Sequence, residues 1–327
     1  MRVLVTGAAG FIGSHVAETL AARGDDVIGL DNLDPYYDPH RKRSNLKAIE
    51  TGSAGTFTFV EGDVRDRALV DSLFSAHSFD AIAHLAAMAG VRVSLENPHL
   101  YLDVNVRGTL ELLEATRSQD PMPNFVLAST SSVYGRTEQI PFVETDPSDR
   151  PLAPYPASKR AAEILGHTYH HVYGIDFTAL RFFTVYGPRG RPDMMAFKVA
   201  DNISTGAQTD LYNEGQMHRD WTYIDDIVAG VVAALDRRLG YEVINLGRGE
   251  PVLLADFVRL IEKGLGGTSE LTPEEMPIAD ISYTYADVTK ARKLLDYEPT
   301  ISLQEGIDRF LDWYKTEVLG QPDEGKG

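Results

Sequence analysis

The chain has 327 residues, 43% apolar and 24% charged, the balance of an ordinary globular protein and not of a disordered or fibrous one. Its formal charge of −17 opposes binding to nucleic acid, although placed arginines or a helix N-terminus still admit a small anion. The absence of cysteine excludes disulfides, thiolate zinc sites and cysteine nucleophiles, and no apolar run reaches the ~18 residues of a membrane span, so a cytoplasmic protein without a cleavable signal is expected.

In chain order, strands are predicted at Arg2–Thr6, Val27–Leu30, Thr56–Val60, Asp80–His84 and Asn124–Ala128, with helices near Phe11–Arg23, Asp66–Ala76 and Val104–Ser118. Runs such as VLV, VIGL and FVLA barely alternate, which predicts strands buried on both faces in a parallel sheet covered by helices. Alternating β and α elements imply right-handed crossovers and a doubly wound α/β sheet. After Phe177–Arg181 the texture changes. Tyr186–Pro192 reads as a loop, and Gly206–Gln216 and Gly264–Ile278 as irregular polar segments. Trp221–Ile224 and Glu242–Leu246 are strand-like, with a helix near Asp225–Arg237. The pattern predicts a sheet domain from 1–181 and 219–248, a smaller, discontinuous C-terminal lobe from 182–218 and 249–320, and a flexible tail at 321–327. No internal repeat is present.

RVLVTGAAGFIGSH places Gly7, Gly10 and Gly13 between a strand and a helix at the chain start. Such a turn lets backbone approach a pyrophosphate at the positive end of the helix dipole, the Rossmann arrangement for a dinucleotide. Asp31 follows the second strand and can accept from both ribose hydroxyls while repelling a 2′-phosphate, which predicts NAD over NADP. Asp63, after the third strand, either accepts from the adenine amino group or caps the helix starting near Asp66. Tyr155 and Lys159, in PYPASK, fall on one face of a helix running towards Gly174. A neighbouring ammonium favours phenolate, and the hydroxyl cluster Ser129-Thr130-Ser131-Ser132 closes a strand whose carboxyl end would face the cofactor. A hydroxyl, a tyrosine and a lysine beside NAD form an apparatus for alcohol–ketone hydride transfer. His167, His170 and His171 lack an accompanying carboxylate set, so no metal is expected.

GAAGFIG, Asp31, HLAA (His84–Ala87), STSSVYG (Ser129–Gly135) and YPASK together resemble the extended short-chain dehydrogenase/reductase family. More narrowly, GVRVSLENPH, LRFFTVYGPRGRPDM and HRDWTYIDD resemble its NAD-dependent nucleotide-sugar 4-epimerases, most of all the UDP-glucuronate 4-epimerases. The resemblance implies an isomerase inverting C4 of UDP-glucuronate to UDP-galacturonate through a 4-keto sugar without decarboxylation, with a UDP-glucose/UDP-galactose 4-epimerase as the alternative. A non-catalytic NAD-sensing scaffold is the reading from another class.

The resemblance also implies roles. Thr130 would bond the 4-hydroxyl, Tyr155 would take its proton, and Lys159 would bind the nicotinamide ribose. Phe11, Ile12, Asn32, Val64, Leu85, Ala86, Ala87 and Asn105 would lie along the cofactor, with Phe182 near the nicotinamide. Arg219 would clamp the diphosphate, and Tyr212 would stack on uracil or pack within the lobe. Thr130, Ser131, Ser132, Thr184 and Val185 would meet the sugar, with Arg191 near its C6 carboxylate and Arg92 as the reserve for that role. Related dehydratases and decarboxylases carry glutamate where this chain has Ser132, so the reaction should stop at reduction. PIADI (Pro277–Ile281) lacks the second diphosphate arginine of UDP-galactose epimerases. A homodimer packing Val104–Ser118 and Tyr155–Gly174 is implied likewise.

Overall fold

A computed structural model describes residues 1–52 and 55–320, so the predicted flexible tail, 321–327, lies outside the described residues. The strands are β1 (Arg2–Thr6), β2 (Asp26–Asp31), β3 (Thr56–Glu61), β4 (Ala81–His84), β5 (Asn124–Thr130), β6 (Phe177–Phe182), β7 (Thr184–Tyr186), β8 (Gln208–Tyr212), β9 (His218–Tyr223), β10 (Tyr241–Leu246), β11 (Pro251–Leu253) and β12 (Glu270–Glu274). The α-helices in the first half are α1 (Phe11–Arg23), α2 (Pro39–Gly52), α3 (Arg67–Ala76), α4 (Val93–Glu96), α5 (Pro98–Leu102) and α6 (Gly108–Thr116). They continue with α7 (Pro154–Tyr173), α8 (Met195–Thr205), α9 (Ile224–Leu235), α10 (Leu254–Leu265), α11 (Thr289–Leu295) and α12 (Leu303–Trp313).

Seven strands form one parallel sheet in the order β10-β6-β5-β4-β1-β2-β3. Val3 and Val5 enter the core shared with α1 and α9, whereas Leu4 between them enters the core shared with α3, α6 and α7. Two-sided burial explains why these strands read as continuous apolar runs. The chain runs from β1 to β2 and β3 on one side and then crosses to β4 on the other, so a crevice opens at the carboxyl ends of β1 and β4, where such sheets bind ligands.

A three-stranded sheet, β11-β9-β7, and a parallel pair, β12-β8, lie outside the large sheet. Here the expectations need correcting. Gly206–Gln216 and Gly264–Ile278 contain β8 and β12, which pair in register from Gln208↔Glu270 to Tyr212↔Glu274. Neither segment has an apolar face to announce a strand, and the pairing is distant in sequence. Of the strand-like piece 221–224, 221–223 closes β9 in the small sheet and Ile224 opens α9, and it is α9 and β10 that return to the large one. Helix α2 is missing from the predicted elements because its buried stripe is only Lys42, Asn45, Leu46 and Ile49. The helix expected at 104–118 is α6 preceded by a π-helical turn, Asp103–Arg107. Among the described residues no helix is long and apolar enough to cross a membrane.

Candidate active site

The glycine turn opens the cleft. Gly7 has φ +72, and a Cβ there would meet the backbone nitrogen of Ala86 at 2.7 Å. That close approach seats the turn against the segment after β4, and the Asn45 amide donates to the Ala9 carbonyl at 2.9 Å to hold it from α2. Asp31, at the end of β2, accepts from the Ala9 N–H at 3.2 Å and the Leu33 N–H at 2.8 Å. Its carboxylate is buried beside Lys42, 3.7 Å away, a partner that sequence reasoning missed along with its helix. Asp63 is not a helix cap. Asp66 takes that role, accepting from the Leu69 N–H. The Asp63 carboxylate instead accepts from the Arg65 side chain and backbone and from the Asn32 amide, and Arg65 chiefly holds it down at about 2.

Gly10, Phe11, Ile12, Gly13, Asn32 and Val64 line the same cleft, as do Leu85, Ala86 and Ala87 on its far wall. Asn105 stands behind that wall. Its side-chain oxygen accepts from the Met88 N–H at 2.8 Å, and its amide donates to the Met88 carbonyl and to Ser158 Oγ, both at 2.9 Å. Asn105, expected along the cofactor, ties that wall to α7.

Thr130, Tyr155, Lys159 and Phe182 meet at the carboxyl ends of β5 and β6 and the start of α7. Burial raises Tyr155 above its ordinary range, while the Thr130 hydroxyl and the Arg191 charge favour its phenolate. Burial likewise pushes Lys159 down to about 8, with Glu163 opposing. Lys159 Nζ is buried and no group among the described residues accepts from it. A buried ammonium without an acceptor is costly, and ribose hydroxyls at this point in a glycine-turn cleft would satisfy it. The residues present fit a dinucleotide.

Thr130 Oγ1 donates to Ser132 Oγ and accepts from the Ser132 N–H, both at 3.2 Å, and Ser131 lies in the same turn. Val185 lines the cleft and Thr184 starts β7 beside it. Arg191 also lines the cleft, but its guanidinium makes a two-pronged bond to Asp193 at 2.9 Å. Tyr36, unforeseen from sequence, donates to the same carboxylate at 3.2 Å. Burial opposes the Arg191 charge, and Asp193 outweighs it and raises its pKa.

The remaining predicted residues form a second cluster. The Arg92 guanidinium lies 3.9 Å from the centre of the Tyr212 ring and donates to Asp280 at 3.1 Å. Burial lowers the Arg219 pKa; nearby Asp280 counters this and Arg92 adds to it. Arg92, expected as the reserve near the C6 carboxylate, thus stands with Arg219 and Tyr212. One face of Tyr212 is occupied by that guanidinium.

Residues 3–247 match the family model described as the NAD dependent epimerase/dehydratase family. UDP-glucuronate 4-epimerase 4 of Arabidopsis thaliana is 45% identical over 98% of this chain and 76% of its own length. The crystal structure of UDP-glucuronic acid 4-epimerase from Bacillus cereus in complex with UDP-glucuronic acid and NAD is similar at a TM-score of 0.88, with 35% identity, covering 97% of this chain and 99% of that one. The UDP-glucose 4-epimerase of Thermus thermophilus in complex with NAD is similar at a TM-score of 0.87 and 33% identity, covering 97% and 100%.

Proposed function

The chain belongs to the NAD-dependent epimerase/dehydratase family, and from that premise we propose that it is an isomerase inverting C4 of UDP-glucuronate to UDP-galacturonate with NAD as cofactor. The observation carrying this reading is the convergence of Thr130, Tyr155 and the unpartnered Lys159 ammonium on a cleft opened by the glycine turn and Asp31. When bound, NAD supplies reversible hydride acceptance, so C4 is oxidised to a ketone and reduced again with no net redox change.

The chain's own residues do the rest. Tyr155 takes the proton of the 4-hydroxyl and later returns it, Thr130 orients that hydroxyl, and Lys159 holds the ribose while its charge favours phenolate. Arg219, with Arg92 beside it, is assigned to the diphosphate, the tether about which the flat ketone turns over. The domain of 1–181 and 219–248 is assigned chiefly to the cofactor and the lobe of 182–218 and 249–320 chiefly to the nucleotide sugar, with Arg92, Arg219 and the hydroxyls after β5 reaching the sugar from the first. Tyr212 packs against the uracil through the face that Arg92 leaves open.

A 4-ketouronate is a β-keto acid and loses CO₂ when its C5–carboxylate bond stands perpendicular to the carbonyl plane. Thr130, Ser131, Ser132 and Thr184 are assigned to hold the carboxylate out of that alignment, with the Arg191–Asp193 pair setting the charge nearby. Hydroxyls supply no acid or base for a further step, which supports a reaction that ends at reduction.

Exposed Leu102, Ile164, Val172 and Tyr173 on α5 and α7 support a homodimer through this face, which light scattering of Ile164→Glu tests. A cysteine-free chain using NAD is assigned to the cytoplasm. The deciding experiment is proton NMR of UDP-glucuronate with the purified protein and no added NAD. UDP-galacturonate is expected, and turnover of UDP-glucose alone overturns the substrate assignment in favour of the UDP-glucose/UDP-galactose alternative. Full activity in Tyr155→Phe overturns the chemistry.

A further inference from the structure

Glu163 lies one helical turn beyond Lys159 on α7, facing the sheet. Its side chain is fully buried, as is that of Arg181 on β6. Arg181 donates to it from Nε at 2.9 Å and Nη2 at 2.8 Å, Arg160 from α7 at 3.0 Å, and the Ser129 hydroxyl from β5 at 2.6 Å. Ser129 and Arg181 are register partners in the β5–β6 ladder, and the next pair along is Thr130 and Phe182, both in the cleft. One carboxylate therefore joins the helix carrying Tyr155 and Lys159 to the two strand ends carrying Thr130 and Phe182.

We propose that Glu163 is a positioning residue for the catalytic set: it supplies the counter-charge to the Lys159 ammonium and locks α7 to the ends of β5 and β6. A buried ion pair is often no more stabilising than an apolar replacement, so stability alone does not account for it. Here the carboxylate also answers a second cation. Lys159, drawn down by burial, is drawn back up by Glu163. Glu163 itself stays ionised, because Arg181, Ser129 and Arg160 outweigh its burial.

The other charged and titratable groups around this pair do not replace it. His84 faces Lys159 from β4, buried and held down to about 3, so it carries no charge. Tyr134 lies under the Arg181 guanidinium, Tyr241 on β10 donates to the Glu163 backbone carbonyl, and Arg191 acts on Tyr155 from the loop after β7. None of these supplies a negative charge to Lys159.

The inference rests on the epimerase reading, and its test separates the two. Wild type, Glu163→Gln and the double variant Glu163→Gln with Arg181→Gln are compared for kcat and KM across pH. NAD retained per chain after buffer exchange at each pH gives a readout independent of turnover. Loss of the counter-charge lets Lys159 release its proton earlier. The basic limb of kcat should therefore move down by roughly one pH unit in Glu163→Gln, since a unit charge one helical turn away acts at that scale or above, and in the same direction by less in the double variant, which also loses the Arg181 cation. NAD should be shed at a correspondingly lower pH, with KM for the nucleotide sugar within about two-fold. The double variant leaves no fully buried guanidinium stranded, because Arg160 is partly exposed and still donates to the Pro147 carbonyl, so it carries the test if Glu163→Gln alone does not fold. A limb and an NAD-retention profile coinciding with wild type in the double variant overturn the proposal, whatever happens to the melting temperature. A wild type that does not turn over UDP-glucuronate overturns the reading beneath it instead.

Discussion

Replacing Gly13 by alanine is the sharpest test of how the phosphate turn is built. Gly13 lies in the first turn of α1, where alanine is otherwise the better helix former. An added methyl would sit 2.0 Å from the Gly7 carbonyl oxygen and 2.7 Å from its carbon, both rigid backbone atoms. Relief needs about 1 Å of displacement to reach even the 3.0 Å limit of real contacts, by moving either α1 or the turn. Overpacking against fixed atoms costs about 1–3 kcal/mol, and a shifted turn no longer aims its N–H groups at a pyrophosphate. Gly10→Ala is the control. Its methyl would meet the Gly7 oxygen at 3.2 Å, which a small adjustment accommodates, while still standing where the pyrophosphate must approach. Differential scanning calorimetry with NAD quantified in the purified protein reads both. Gly13→Ala should lose roughly 2–10 °C and most of its NAD, whereas Gly10→Ala should lose NAD with little change in melting once compared in the cofactor-free state. A Gly13→Ala protein with wild-type melting and full NAD content would refute the steric argument.

Three further outcomes are expected. Burial holds His84 near 3, below its ordinary range, so the unfolded chain binds the proton first as pH falls. Its contribution is complete above about pH 6.5 and is progressively lost as pH falls towards the folded value, by roughly 2–3 kcal/mol at pH 4.5; urea melts should show a shallower acid dependence in His84→Gln, and an unchanged slope argues against the assignment. Asp220 accepts from the N–H groups of Arg248, Gly249 and Ala286 and from the Thr222 hydroxyl, so Asp220→Ala strands four donors and should destabilise by about 3 kcal/mol or more, read as a lowered urea midpoint. Asp31→Asn removes the carboxylate facing Lys42 and should weaken NAD binding at least ten-fold while narrowing the gap to NADP, since a freed ammonium suits a 2′-phosphate; calorimetric binding of both cofactors measures the gap, and an unaltered preference contradicts that role.

The large sheet, the glycine turn, Asp31 and the Tyr155–Lys159 pair are legible in the sequence. Each is a local pattern whose spacing carries its meaning: continuous apolar strands, glycines between a strand and a helix, and two side chains one turn apart. Tertiary structure alone decided what lies across the chain from these. The β8–β12 pairing, Lys42 on an unannounced polar helix, the gathering of Arg92 with Arg219 and Tyr212, and the Glu163–Arg181–Ser129 junction all join residues of different elements, from 11 to more than a hundred positions apart. Asn105 shows the limit in the other direction, because nothing local tells whether an amide faces a ligand or, as here, the protein's own wall and helix. Spacing along a chain fixes which side chains share a face of one element; which faces meet is set by how the elements pack.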